Sequence, residues 1–372
     1  MRLLLLPFLL VAAGALNAQP IRDLRIGAVD GPEPYQFFRI GAIDVSAAGE
    51  IFVLDGGANR IRVFGPDGQH RRTFGSQGPG PGEFRNAYGL VVTPNRVIVQ
   101  DGDGFEFFAH DGSHQSALAT ATLGRLAVLY TTAEIDLIVR TSAQHCRAAP
   151  PGQLCRDTLA FHRLDPASST LGPPFLRVPG SARARLAAPG SGPAITPLFA
   201  DPFSIQPDGT GNLYVVPGRD YRIDVFAPTG QRVRTITRQH RPRAVTDRDL
   251  VRLRSCIDDR LARGGRGPAG GAFVERLALG RPEVFPAVAR ILVADHGAIW
   301  VQRADIGDLP IERACGISSP AIWDRFDHTG RFLGTVSLPA SFTAHHVSDS
   351  AVLGTERDDL DVEYVVRYRV AG

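Results

Sequence analysis

Short apolar runs alternate with glycine-bounded polar turns along this chain, and one such pattern occurs twice. Gly49 to Gly68 reads GEIFVLDGGANRIRVFGPDG, and Gly211 to Gly230 reads GNLYVVPGRDYRIDVFAPTG; the two align over twenty positions without a gap, 162 residues apart. Each copy has a glycine, an apolar run, a polar turn, Arg-Ile-x-Val-Phe and a Pro-x-Gly turn. Runs rich in β-branched and aromatic residues between turn formers encode strands, so each copy predicts two strands and the hairpins around them.

The same template finds weaker units elsewhere. Arg96 to Asp101 with Phe105 to Gly112 is the second, and Glu134 to Arg140 with Asp157 to Asp165 the third. The second long copy is the fourth, Ala298 to Val301 with Trp323 to Gly330 the fifth, and Ala351 to Gly354 with Val362 to Val370 the sixth. A period of about 40–45 residues is that of a four-stranded propeller blade. A single blade cannot bury both faces, so blades pack side by side around an axis until the ring closes. The expectation is an all-β, six-bladed β-propeller over residues 19–372. Ile21 to Ile26 is expected to complete the last blade beside Val362 to Val370, where Val362, Tyr364, Val366 and Tyr368 alternate with Val365, Arg367 and Arg369.

Two stretches exceed the template and predict insertions: Pro173 to Pro197, rich in Pro, Gly, Ala and Ser, and residues 238–286. The second carries the one convincing helix, between blades 4 and 5. Thr246 with Asp247 and Asp249 is a start signal, Leu250, Leu253, Ile257 and Leu261 recur at three- and four-residue spacing, and Gly264-Gly265 is a stop. Residues 238–266 hold nine Arg against four Asp. Without interleaved aromatic residues to stack bases, this reads as a solvated helix face with local ion pairs, and no nucleic-acid partner is expected.

Composition changes the picture in three places. Forty Gly and 28 Pro suit many tight turns. All basic residues are Arg, and the net charge of +3 is too small to demand an anionic macromolecule. Residues 1–18, with Met1-Arg2, an apolar run from Leu3 to Ala13 and small residues at Ala15 and Ala18, read as a secretory signal peptide. A periplasmic or extracellular monomer without a membrane span is expected. Four cysteines allow three pairings. Cys146 and Cys155 flank eight residues and suit a staple across a hairpin loop, which leaves Cys256 with Cys315.

Phe74 to Phe84 reads FGSQGPGPGEF and leads into Tyr88-Gly89-Leu90-Val91-Val92. Joined to the first repeat copy, it resembles the NHL-repeat β-propellers of exported bacterial proteins. In that family the Asp and Asn-Arg matching Asp55 and Asn59-Arg60 shape a loop, and the fourth unit departs by placing Pro217 where the Asp would be. The resemblance implies a ligand funnel at one end of the axis. Its rim would include Asp55, Asn59, Glu83, Tyr88, Asp101, Asp103, Asp220, Arg303 and His346, the last in the turn before the final innermost strand.

Two chemistries compete for that funnel. A lactonase or esterase of the six-bladed type would hold a single Ca or Zn ion with residues such as Glu83, Asn86, Asp101, Asp103 and Asp358, but Phe37-Phe38-Arg39 stands where an acidic residue is expected at the first innermost strand. A zinc lyase needs converging histidines, whereas His345-His346 are adjacent and His110 and His328 fall in outer turns. No nucleophile elbow or phosphate loop occurs. The favoured reading is a cofactor-free binding or interaction module for a protein, small-molecule or glycan ligand, with Tyr88, Phe84, Arg303 and Tyr221 as anchors.

Overall fold

The computed structural model describes residues 19–370, apart from 103, 121–126, 132–136, 144, 151, 186–193, 198–199, 264–281 and 305–318. The signal segment 1–18 therefore lies outside the described residues. Six antiparallel sheets form the blades of a propeller. The chain enters through β1 (Ile21–Ile26) and builds blade 1 from β2 (Ile40–Val45), β3 (Ile51–Asp55), β4 (Arg60–Phe64) and β5 (His70–Phe74). A two-residue ribbon, β6 (Ser76–Gln77) with β7 (Glu83–Phe84), carries the Gly-Pro connector. Blade 2 is β8 (Gly89–Val92), β9 (Val97–Asp101), β10 (Gly104–Phe108) and β11 (His114–Ala119). Blade 3 has β12 (Ala127–Thr131), β13 (Leu137–Ala143), β14 (Leu154–Asp165), β15 (Thr170–Arg185) and β16 (Ala194–Ile195).

Blade 4 is β17 (Ser204–Pro207), β18 (Leu213–Val216), β19 (Arg222–Phe226) and β20 (Arg232–Thr237), followed by α1 (Asp247–Arg263). Blade 5 is β21 (Val288–Val293), β22 (Ile299–Arg303), β23 (Ala321–Phe326) and β24 (Phe332–Leu338). Blade 6 comprises β25 (Phe342–Val347), β26 (Ala351–Arg357) and β27 (Glu363–Arg369), with β1 as its outermost strand. The chain's two ends thus close the ring as expected, Ile21 pairing with Arg369 and Ile26 with Val365.

Alternation of side chains along each second strand sends successive residues to opposite neighbouring blades, so the core is a set of inter-blade layers. Phe52 and Leu54 of β3 pack on blade 2, while Ile51 and Val53 pack toward blade 6. The repeated Pro-x-Gly turn also needs its glycine. At Gly230 φ is +84°, and a Cβ there would meet the Phe175 carbonyl of the preceding blade at 1.8 Å.

Blade 3 departs from the template. The stretch from Pro173 to Pro197, expected to be an insertion, supplies most of the long strand β15. Proline is tolerated there because Pro174 and Pro179 pair with His162 and Thr158, where the β14–β15 register shifts. Beyond the Ala143–Thr158 pair that ends β13, the β14–β15 hairpin continues as a wall, joined at Ala184 and Arg185 by β16. The Cys146–Cys155 disulfide staples its base, as the spacing suggested. Cys256 is also disulfide-bonded; Cys315 lies outside the described residues.

The helix begins where the sequence places it. Thr246 donates its backbone N–H and its hydroxyl to the Asp249 carboxylate, both at 2.8 Å, which satisfies donors the first turn leaves open. Leu253 and Ile257 are buried beneath it.

Candidate functional site

The end of the ring where a funnel is expected is the one at which innermost strands begin and second strands finish. At this end Asp55 and Asp101 occupy equivalent places, at the last residue of β3 and of β9. Asp55 accepts the backbone N–H groups of Phe38 (3.2 Å) and Arg39 (3.1 Å), and Asp101 those of Arg85 (3.0 Å) and Asn86 (2.6 Å). Each carboxylate therefore fixes the loop that leads into its own blade's innermost strand. Asp55 also receives Arg62, a guanidinium that is almost fully buried and donates to the Glu33 carbonyl as well.

The other polar candidates are similarly engaged. Asn59, at φ +51°, accepts from Ala87 N (3.3 Å) and ties blade 1 to the entry of blade 2. Glu83 folds back on its connector, accepting from Gly80 N at 2.9 Å. Asp358 binds Leu360 N, Val362 N and the Tyr364 hydroxyl, hydrogen bonds that hold its carboxyl below the usual range. Asp220 is exposed in the turn between β18 and β19, and Asp103 lies outside the described residues. Among the described residues, no three His, Cys, Asp or Glu side chains are grouped to hold a metal ion.

Three expected anchors are not at the surface. Phe84 and Tyr221 are buried, and Arg303 is nearly so. Phe84 fills the space that Gly75 leaves: a Cβ on Gly75 would lie 2.3 Å from its ring. Tyr221 donates to Asp324 at 2.8 Å, and Arg238 and Arg303 approach the same carboxylate while Thr335 donates to its other oxygen. Burial, with the Asp324 charge beside it, raises the Tyr221 phenol far above its ordinary value. This buried cluster, absent from the sequence reading, locks blade 4 to blade 5.

Beside exposed polar groups such as Arg85 and Asn86, this end leaves two aromatic side chains open to solvent. Phe38 is 83% and Tyr88 51% exposed, although each directly precedes the innermost strand of its blade or stands two residues before it. The loops carrying them meet at Gly56-Gly57: a Cβ at Gly57 would touch Phe38 Cβ at 2.7 Å, and one at Gly56 the Ala87 carbonyl at 3.2 Å. Because Asp55 fixes the Phe38 backbone, the ring is held outward. Arg39 is exposed between them. Val29 and Leu360, from the loops flanking blade 6, extend the apolar rim. The sequence signal for Phe38 was available as an aromatic residue placed beside a Gly-Gly turn by the repeat template. The stapled wall of blade 3, which continues past the end of β13, and the helical insertion between β20 and β21 also emerge at this end.

Inside the ring, Leu90, Val91 and Gln100 of blade 2 and Ile205, Gln206 and Pro207 of blade 4 line a cavity of about 220 Å³. His345 and His346 lie within β25 rather than in the turn before it. A register shift between Ala344 and His346 makes His345 the extra residue. Burial, with Arg290 nearby, lowers His345 to about 4, so it is neutral near pH 7. His346 instead meets Asp44 of blade 1.

No family model matches the chain, and no curated protein does. Solved structures do. A protein of Bacteroides fragilis named as a candidate exported protein superposes with a TM-score of 0.54 at 11% identity, over 96% of this chain and 97% of that one. A member of the DUF4221 family from Bacteroides vulgatus gives 0.54 at 10% identity, over 96% and 99%. The likeness is one of fold.

Proposed function

We propose that this protein is an exported, NHL-like binding module whose ligand docks on the aromatic rim of blades 1 and 2. The observation that carries the reading is the division of labour at the entries to blades 1 and 2: Asp55 and Asp101 hold the loops, and the large side chains those loops leave to solvent include Phe38 and Tyr88 beside Arg39 and Arg85. A rigid aromatic pair beside a guanidinium is the composition of a binding hot spot, since such groups bury much apolar area at small entropic cost. A glycan ring or a peptide side chain fits that chemistry. Export is supported by residues 1–18 and by the disulfide between Cys146 and Cys155. A lactonase or lyase reading would need metal ligands at the rim, where Asp55, Glu83 and Asp101 already accept backbone hydrogen bonds.

Screening the purified protein on glycan and short-peptide arrays tests this. The expected result is a ligand whose retention falls tenfold or more in Phe38→Ala/Tyr88→Ala at unchanged melting temperature. A ligand retained equally by both proteins would place the site elsewhere.

A further inference from the structure

Pairing with the innermost strands puts Phe52, Ile98, Ile138, Tyr214, Trp300 and Leu353 at one level of the six second strands, next to the turn that joins the two strands. In blades 1 to 5 an aromatic ring and a guanidinium meet at this level, on the face that packs against the following blade. Arg72 lies 5.5 Å from the centroid of the Phe52 ring and Arg325 5.3 Å from that of Trp300. Arg96 lies 5.6 Å from Phe107, the partner of Ile98, and Arg163, the partner of Ile138, lies 6.0 Å from Phe175. Arg234 reaches the Tyr214 hydroxyl at 3.4 Å. Four of these arginines also donate to a carbonyl of the next blade, at His110, Pro228, His328 and Asp349.

Blade 6 keeps the guanidinium and lacks the ring. Arg367 pairs with Leu353 and donates to the Pro66 carbonyl of blade 1 at 3.4 Å, while Asp23 takes its other nitrogens. Where the aromatic side chain would stand, a crevice of about 260 Å³ opens, lined by Val45, Ile51, Pro66, Ala351, Leu353 and Arg367. An apolar cavity of roughly 150 Å³ is already enough to take up benzene. A ring entering here would withdraw the aliphatic walls from water and lay its π face beside a guanidinium that is already held in place.

We propose that the seam of blades 6 and 1 binds a small aromatic molecule, whose ring takes the place of the side chain that blades 1 to 5 supply themselves. The crevice opens beside the turn between β25 and β26, at the end of the ring opposite the aromatic rim, so it is a second site and does not depend on the first.

Thermal melts of the purified protein with indole, phenylacetate and cyclohexylacetate provide the test. The wild type is expected to show a saturable rise in melting temperature with indole or phenylacetate, and a smaller rise with cyclohexylacetate, which has the same carboxylate but no π face. Leu353→Phe is expected to melt at or above the wild-type temperature without a probe and to lose the saturable response. Ala351→Leu, which narrows the crevice from another wall, is expected to lose it as well and keeps the test decisive if Leu353→Phe folds poorly. No saturable response to either aromatic probe, an equal response to cyclohexylacetate, or an undiminished response in the crevice-filling variants would each overturn the proposal. Phe38→Ala/Tyr88→Ala is expected to respond as the wild type does, so failure of the rim and failure of the seam give different results.

Discussion

Nδ1 of His346 in blade 6 stands 3.1 Å from Oδ1 of Asp44 in blade 1, joining the last innermost strand to the first. The other Asp44 oxygen accepts Val92 N of blade 2 at 2.7 Å, so one carboxylate bridges three blades across the seam where the ring closes. Burial by itself would lower the His346 pKa, but the hydrogen bond to Asp44 and the charges of Asp44 and Asp295 outweigh it and raise it. A raised folded-state pKa contributes stability that is full below the unfolded value, about 6.5, and is lost as pH rises through the folded value. Asp295 acts in the same direction: burial, then the Asp44 charge, raises its pKa. Denaturant melts should therefore show the His346 contribution to stability falling as pH rises above about 6.5. His346→Gln should flatten that slope and cost about 1–2 kcal/mol on the acid side. A slope unchanged in the variant would remove the clasp from the account.

Ring closure depends on β1. Asp23 meets both Arg367 and Arg369 of β27, and Arg22 meets Glu356. Desolvation pulls against it, yet the Arg367 and Arg369 contacts hold the Asp23 carboxyl below its usual range. Deleting residues 19–26 should leave blade 6 with an open edge and produce oligomers or aggregates on size-exclusion chromatography. A monodisperse monomer of unchanged melting temperature would show the closing strand to be dispensable.

The Cys146–Cys155 link closes a short loop, with Cys146 N held by Asp157 at 2.9 Å. In the chain-entropy view a loop of this length stabilises by about 2–3 kcal/mol. The Cys146→Ser/Cys155→Ser pair should lose that amount, with faster amide exchange concentrated in the β14–β15 wall. Exchange accelerated evenly over all blades would contradict a local staple.

The ring was legible in the sequence because a propeller repeats its strands and turns, and Gly49 to Gly68 shows the two middle strands of a blade and their turns undisguised. β15 was not, since its prolines signal a loop; they are accommodated only because the β14 register shifts opposite them. The work of Asp55 and Asp101 was not legible, because a carboxylate that accepts backbone N–H groups and one that binds a ligand look identical in sequence. Tyr221 and Phe84 show the complementary difficulty. An aromatic residue in a loop reads as exposed until the partner that buries it, Asp324 or Gly75, is known from the tertiary structure.

The central claim separates loop-holding carboxylates from a ligand-binding aromatic rim, and calorimetric titration of an array-identified ligand into Asp101→Asn and Phe38→Ala/Tyr88→Ala tests it most directly. Asp101→Asn should melt lower, by about 1–3 kcal/mol for a compromised pair of backbone hydrogen bonds, yet bind with wild-type affinity when folded. The aromatic variant should melt like the wild type and bind at least tenfold more weakly. Lost affinity in Asp101→Asn with full affinity in the aromatic variant would contradict the account and return the carboxylates to the centre of the site.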